Sequence, residues 1–114
     1  MKNIPLDLDD KSQMCPVTFC LSIIGGKWKP VILYCIANNV NRFGALQRAI
    51  PTITKQMLTK QLRELEADGI ITRKIFAEVP PRVEYGISER GQTLLPVIKA
   101  MKDWGEAHWK TPSN

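Results

Sequence analysis

The sequence predicts a mainly α-helical domain carrying one small β-hairpin, and three observations predict it. Residues 54–69 read TKQMLTKQLRELEADG, with Leu58, Leu62 and Leu65 at helical spacing between Thr54 and Gly69. Leucines three and four apart share one face of a helix, and Thr and Gly are favoured just before and just after one. Residues 71–76 and 82–87 are alternating, β-rich runs on either side of a loop holding Pro80-Pro81, the pattern of a hairpin. Two further stretches, 17–24 and 31–37, are almost wholly apolar between Pro, Gly and Asn punctuation and read as buried helices.

The chain has 114 residues, with 16 Lys and Arg against 11 Asp and Glu and a formal net charge of +5. At roughly 150 residues per domain it is a single domain. Its 44% hydrophobic and 24% charged content is that of an ordinary globule. Residues 1–14 are polar and aperiodic and read as a flexible N-terminal arm; residues 15–113 make the domain. The arm holds Lys2 and Lys11 against Asp7, Asp9 and Asp10, so the rest of the chain carries +6, of which +4 falls between Arg42 and Arg82. A basic middle points to an anionic partner. A single histidine, His108, argues against a His-rich metal site and against His-based catalysis, so no catalytic residue, metal or cofactor is expected. The N-terminus lacks a signal-peptide pattern. The longest apolar run, Val31 to Ala37, is far short of the roughly 18 residues that span a bilayer, so the expected location is cytoplasmic. Cys15, Cys20 and Cys35 form neither a CxxC pair nor a zinc-ligand spacing, and no disulfide framework is expected.

Taken in order, Pro16 suits the first turn of a helix and Gly25-Gly26 its end. The residues between are apolar almost all round, which demands burial against something. Pro30 opens a second helix and Asn38-Asn39 ends it; Val31, Ile32, Tyr34, Cys35 and Ile36 are expected at the centre of the core, with Trp28 as a plug beside them. A short third helix puts Phe43, Leu46 and Ile50 on one face and stops at Pro51, because proline removes a donor and disfavours helix in the residue before it. Only Pro51-Thr52-Ile53 separate it from the fourth helix. The hairpin follows. The last helix starts at Ser88 and runs to Trp109, with Pro96 near its start or kinking it. Leu94, Ile98, Met101, Gly105 and His108 recur along one stripe of that helix, which Trp104 widens.

The fourth helix carries the chemistry. Gln56, Thr59, Lys60 and Arg63 fall at i, i+3, i+4 and i+7, with Lys55 at the leading edge and the leucines opposite. Gln reads adenine, Arg and Lys read guanine, and Thr offers a hydroxyl or methyl contact. Taken alone, such a face is solvated helix surface. The assembly changes its meaning: a short helix, a tight turn, an amphipathic helix and a basic hairpin in that order make a helix-turn-helix with a wing. The DNA-contacting set read from this arrangement is Arg42, Thr54, Lys55, Gln56, Thr59, Lys60, Arg63, Arg73 and Arg82. Arg82 follows two prolines, and a rigid exposed loop presenting an arginine has little structural purpose, which points it at double-stranded DNA.

Gly25-Gly26-Lys27-Trp28-Lys29, the helix MLTKQLRELEADGII (57–71) and EVPPRVEYGISERG (78–91) resemble the HxlR-type winged helix-turn-helix regulators, which are MarR-like in architecture. Cys15-Pro16 and Asp103-Trp104-Gly105 match as well, so the resemblance runs from Cys15 to about Trp109. It implies a homodimeric transcription factor on a pseudo-palindromic operator. It makes Lys55 to Arg63 the recognition helix, Val79 to Arg82 the wing tip, and the first and last helices the dimer interface. The residues themselves agree with that last assignment: Val17, Phe19 and Leu21, with Leu94, Ile98, Met101, Trp104, Gly105 and His108, offer more apolar surface than a small monomer easily hides.

Cys15 resembles the cysteine through which some members of this family sense oxidants or electrophiles. It precedes Pro16 at a helix start, where the helix dipole favours a thiolate. The plainer reading is a packed interface residue, since free cysteines are among the most buried side chains; Cys20 and Cys35 read as core. The competing functional reading is a winged helix used for protein contacts with only non-specific DNA affinity. Membrane binding is disfavoured, because the basic residues sit on a capped helix and a hairpin with no bulky apolar face open to lipid. The effector, small molecule or oxidant, is not specified by the residues.

Overall fold

The computed structural model describes residues 15–109; the arm expected over residues 1–14 lies outside them. The elements run α1 (Pro16–Ile24), α2 (Lys29–Ala37), α3 (Phe43–Ala49), α4 (Lys55–Ala67), β1 (Ile71–Phe76), β2 (Arg82–Ile87), α5 (Glu89–Gln92) and α6 (Leu95–His108). No single helix among the described residues is long and apolar enough to cross a membrane. α1 and α2 are bent 69° to one another across a turn in which Gly26 takes φ +89°, a conformation that a β-carbon disfavours.

The core gathers Ile24 from α1, Ile32, Leu33 and Ile36 from α2, Leu46 and Ile50 around α3, and Leu58, Leu62 and Leu65 from α4. Ile53, Ile70, Ile71 and Ile98 close it. Trp28 and Phe43 pack against it, as expected of both. The central expectation for α2 needs correction. Ile32 and Ile36 are buried, but Val31 and Tyr34 are 42% and 40% exposed, and Leu33 takes their place inside. Helical period puts 32, 33 and 36 on one face and 31 and 34 on another, and a helix with no polar side cannot announce which face turns inward.

β1 and β2 pair antiparallel in the register Ile71↔Ile87, Arg73↔Tyr85, Lys74↔Glu84 and Phe76↔Arg82. The hairpin is anchored on both sides. The Tyr85 amide donates to the Asn41 carbonyl at 2.9 Å, and the Ser88 amide to that of Ile70 at 3.0 Å. Asn41 immediately precedes Arg42, the residue that leads into α3, so the wing is bonded directly to the entrance of the helix-turn-helix.

The last helix is broken. Ser88 caps α5, its Oγ accepting from the Gly91 amide at 2.9 Å, but α5 ends at Gln92 and α6 restarts at Leu95 with Pro96 in its first turn. Proline has no amide to continue α5 and fits a first turn. The predicted interface stripe divides in consequence. Ile98 is buried and Leu94 packs against the core, so both belong to the subunit interior, whereas Met101 and Trp104 are exposed.

Candidate nucleic-acid interface

α4 stands where its sequence places it. Thr54 is extended and its Oγ1 accepts from the Met57 amide at 3.0 Å, satisfying one of the unpaired donors at a helix start. At the other end Gly69 takes φ +75° just past the helix, and the Ile70 amide reaches back to the Leu65 carbonyl at 2.9 Å, the bonding of a left-handed cap. Leu58, Leu62 and Leu65 are buried. That burial fixes the rotation of the helix, so Lys55, Gln56, Lys60 and Arg63 point outward, with Thr59 half-covered between them.

These five side chains, joined by Glu64, line one shallow concave surface. The first turn holds no carboxylate, so the unpaired amides, the helix dipole and Lys55 favour an anion at this end. A second hollow lies where α3, α4 and the hairpin meet, lined by Phe43, Thr59, Leu62, Arg63, Glu66, Arg73 and Tyr85. Arg73 lies 3.8 Å from Glu66 across it. Burial raises the Tyr85 phenol above its ordinary range.

Glu64 is a contact that the sequence did not single out. Its Oε1 lies 2.8 Å from the Lys29 ammonium at the start of α2. That hydrogen bond holds the Glu64 carboxyl below the usual carboxylate range. The Lys29 side chain is only 11% exposed, so the second lysine of the Gly-Gly-Lys-Trp-Lys stretch ties α2 to the outward-facing helix.

The remaining predicted cations form a separate group. Arg42 and Arg82 both reach Glu84 Oε2, at 3.3 and 2.7 Å, and Arg82 Nε donates to Glu78 Oε2 at 2.9 Å. The Arg82 guanidinium also lies 3.8 Å from the centroid of the Phe76 ring. The expectation that Arg82 has no structural purpose is therefore corrected. It opens β2, is half-buried, and braces the hairpin through two carboxylates and a ring. Its spacing of four from Glu78 was visible in the sequence; the cross-strand approach to Phe76 required the register.

Cys15 is 8% exposed, and its carbonyl accepts from the Phe19 amide at 2.9 Å. Cys15, Cys20 and Cys35 are all free thiols; Cys20 and Cys35 pack against the core, and burial pushes the Cys35 thiol up. His108 stacks on Trp104 with ring centroids 4.2 Å apart, and its Nδ1 lies 2.8 Å from the Trp104 carbonyl.

Known proteins share this arrangement. The HxlR-like helix-turn-helix family model matches residues 23–113. The uncharacterized HTH-type transcriptional regulator YdeP of Bacillus subtilis strain 168 is 50% identical over 111 residues, covering 95% of this chain and 87% of its own. The oxidized form of the redox regulator HypR superposes with a TM-score of 0.79 at 50% identity, over 82% of this chain and 97% of that one. A putative transcriptional regulator of the MarR family from Porphyromonas gingivalis W83 does so with a TM-score of 0.75 at 37% identity, over 87% and 95%. The fold is thus shared with these regulators, and this protein belongs to the HxlR-like helix-turn-helix family of transcriptional regulators.

Proposed function

We propose that the protein is a cytoplasmic homodimer that binds a pseudo-palindromic operator in double-stranded DNA, with α4 in the major groove and the wing on backbone or minor groove. The observation that carries this is the outward stripe of Lys55, Gln56, Thr59, Lys60 and Arg63 on a helix whose other face is core. The stripe combines groups that read base edges with cations that neutralise phosphate. Thr54 acts through the cap that orients it, and Arg73 stands beside it on the wing. Arg42 and Arg82 supply the backbone contacts.

Dimerisation is supported by apolar side chains that the single chain leaves outside. Val17, Phe19 and Leu21 on α1 are all more than half exposed, and so is Trp104 on α6. Met101, the half-buried Gly105 and the Trp104–His108 stack continue that surface. Two copies would pair these faces in a two-fold interface and present two copies of α4 to a two-fold operator.

Selection from random duplexes tests the reading. Enrichment of an inverted repeat with half-sites near 10 base pairs apart, or a multiple of that, is the expected result. Recovery of duplex without any common sequence would favour a protein-interaction module with non-specific DNA affinity.

The kinship with HypR, described as a redox regulator, supports a thiol response through Cys15. The Cys15→Ser variant is expected to stay on the operator when diamide or a quinone releases the wild type. Equal release of both proteins excludes Cys15 as the sensor.

A further inference from the structure

The charge cluster on the wing has a geometry that simple phosphate attraction does not need. Glu84 Oε2 accepts from Arg82 Nη1 and from Arg42 Nη2, so one carboxylate joins the start of β2 to the residue leading into α3. Arg82 is fixed further by Glu78 at Nε and by Phe76 beneath its plane. Phe76 faces Arg82, and Lys74 faces Glu84, across the strands. Among the described residues nothing accepts from Arg82 Nη2, or from Arg42 Nε and Nη1. The two side chains are 55% exposed for Arg42 and 32% for Arg82. Arg82 is held in one direction by three partners and Arg42 is tethered to the same carboxylate by one longer contact, and both have donors left over.

We propose that Glu84 is a specificity-determining residue: it aims Arg42 and Arg82 at acceptors in one place and keeps them from following phosphates elsewhere. The proposal rests on the DNA-binding reading above. Non-specific binding is electrostatic and needs mobile cations that adapt to whatever phosphates are near. A carboxylate between two arginines opposes that twice, by repelling the backbone and by restraining both cations. On the operator the cost is different. Base contacts from α4 fix the docking, the leftover donors meet their acceptors while the carboxylate stays paired, and less side-chain freedom remains to be lost. Glu84 thus weakens random binding more than operator binding.

The test measures fluorescence anisotropy with the selected operator and with a random duplex of equal length, over a salt series. Glu84→Gln keeps an acceptor at the same place and removes the charge. It is expected to bind random duplex about fivefold tighter, as the release of two partly exposed ion pairs allows, and to steepen the salt slope on that duplex by roughly one unit. Its operator affinity changes less than twofold, so selectivity falls about fivefold. Arg82→Lys keeps the charge but cannot stack and bond at both edges. It is expected to hold random duplex as the wild type does and to bind the operator several-fold more weakly. Selectivity within twofold of the wild type in both variants overturns the proposal while leaving the DNA-binding reading intact. A wild-type protein that enriches no operator overturns both.

Discussion

The apolar residues of this chain divide into two regions of similar composition and opposite fate. In α2, α3 and α4 the large aliphatic side chains other than Val31 interlock, and Ile32, Leu33, Leu46, Leu58 and Leu65 lie almost wholly out of solvent. In α1 and the distal half of α6, Val17, Phe19, Leu21, Met101 and Trp104 are just as apolar and remain exposed. The first region folds the subunit. The second is surface that water penalises and that only another surface can cover. Hydrophobic content by itself therefore does not locate a core; what locates it is which helix faces converge.

That contrast can be broken by experiment. The largest effect is expected from Phe19→Asp, because a two-fold interface feels the change twice. Phe19 is 51% exposed in the single chain, so losing the remaining burial at two copies costs about 1.5–3 kcal/mol of association by transfer energies, and the two carboxylates put in its place add a desolvation cost of several kcal/mol. Sedimentation should show monomers, with far-UV circular dichroism retained at concentrations where the wild type is dimeric. Next comes Leu62→Ala, which opens a void under α4 and should lower unfolding stability by ~2–5 kcal/mol in urea titrations, with the dimer intact in native buffer. If Phe19→Asp destroys the fold while Leu62→Ala is harmless, the two regions have been assigned the wrong way round.

The smallest effect sharpens the border between them. Glu64 bonds Lys29 and its carboxyl is lowered in the folded chain. The pair's contribution is thus fully present above the unfolded glutamate value of roughly 4.3 and is lost as pH falls through the folded value. Glu64→Gln should melt slightly below the wild type at pH 7, and the difference should vanish in strongly acidic buffer. A difference that persists there would show the contact to be packing rather than charge.

Much of this was legible in the sequence because local rules agree with the global fold. Thr54 and Gly69 bound α4 as a cap and a left-handed stop must, and the alternating runs are the two strands of the hairpin. The failures have two causes, and for α2 the deciding partner lies far along the chain. Nothing near Val31 and Tyr34 distinguishes them from Ile32 and Ile36, because the selection is made by α3, α4 and α6. Arg82 looked like a bare cation beside two prolines although Glu78 and Glu84 stand four and two residues away; what strand pairing adds is Phe76 across the ladder. The predicted stripe lies together on one outward face of α4, whereas the network that joins Arg42 and Arg82 through Glu84 was not foreseen.

The break at Thr93-Leu94 finally bears on measurement of distance along DNA. In the proposed dimer held by α1 and α6, the angle at which α6 leaves α5 would set the separation of the two copies of α4, and an operator would have to match it at about 34 Å, one turn of the duplex, or a multiple of it. The short connector is then a gauge. One residue inserted there would change the direction in which α6 leaves α5, so operators of altered half-site spacing, rather than altered half-site sequence, would be the ones such a variant prefers.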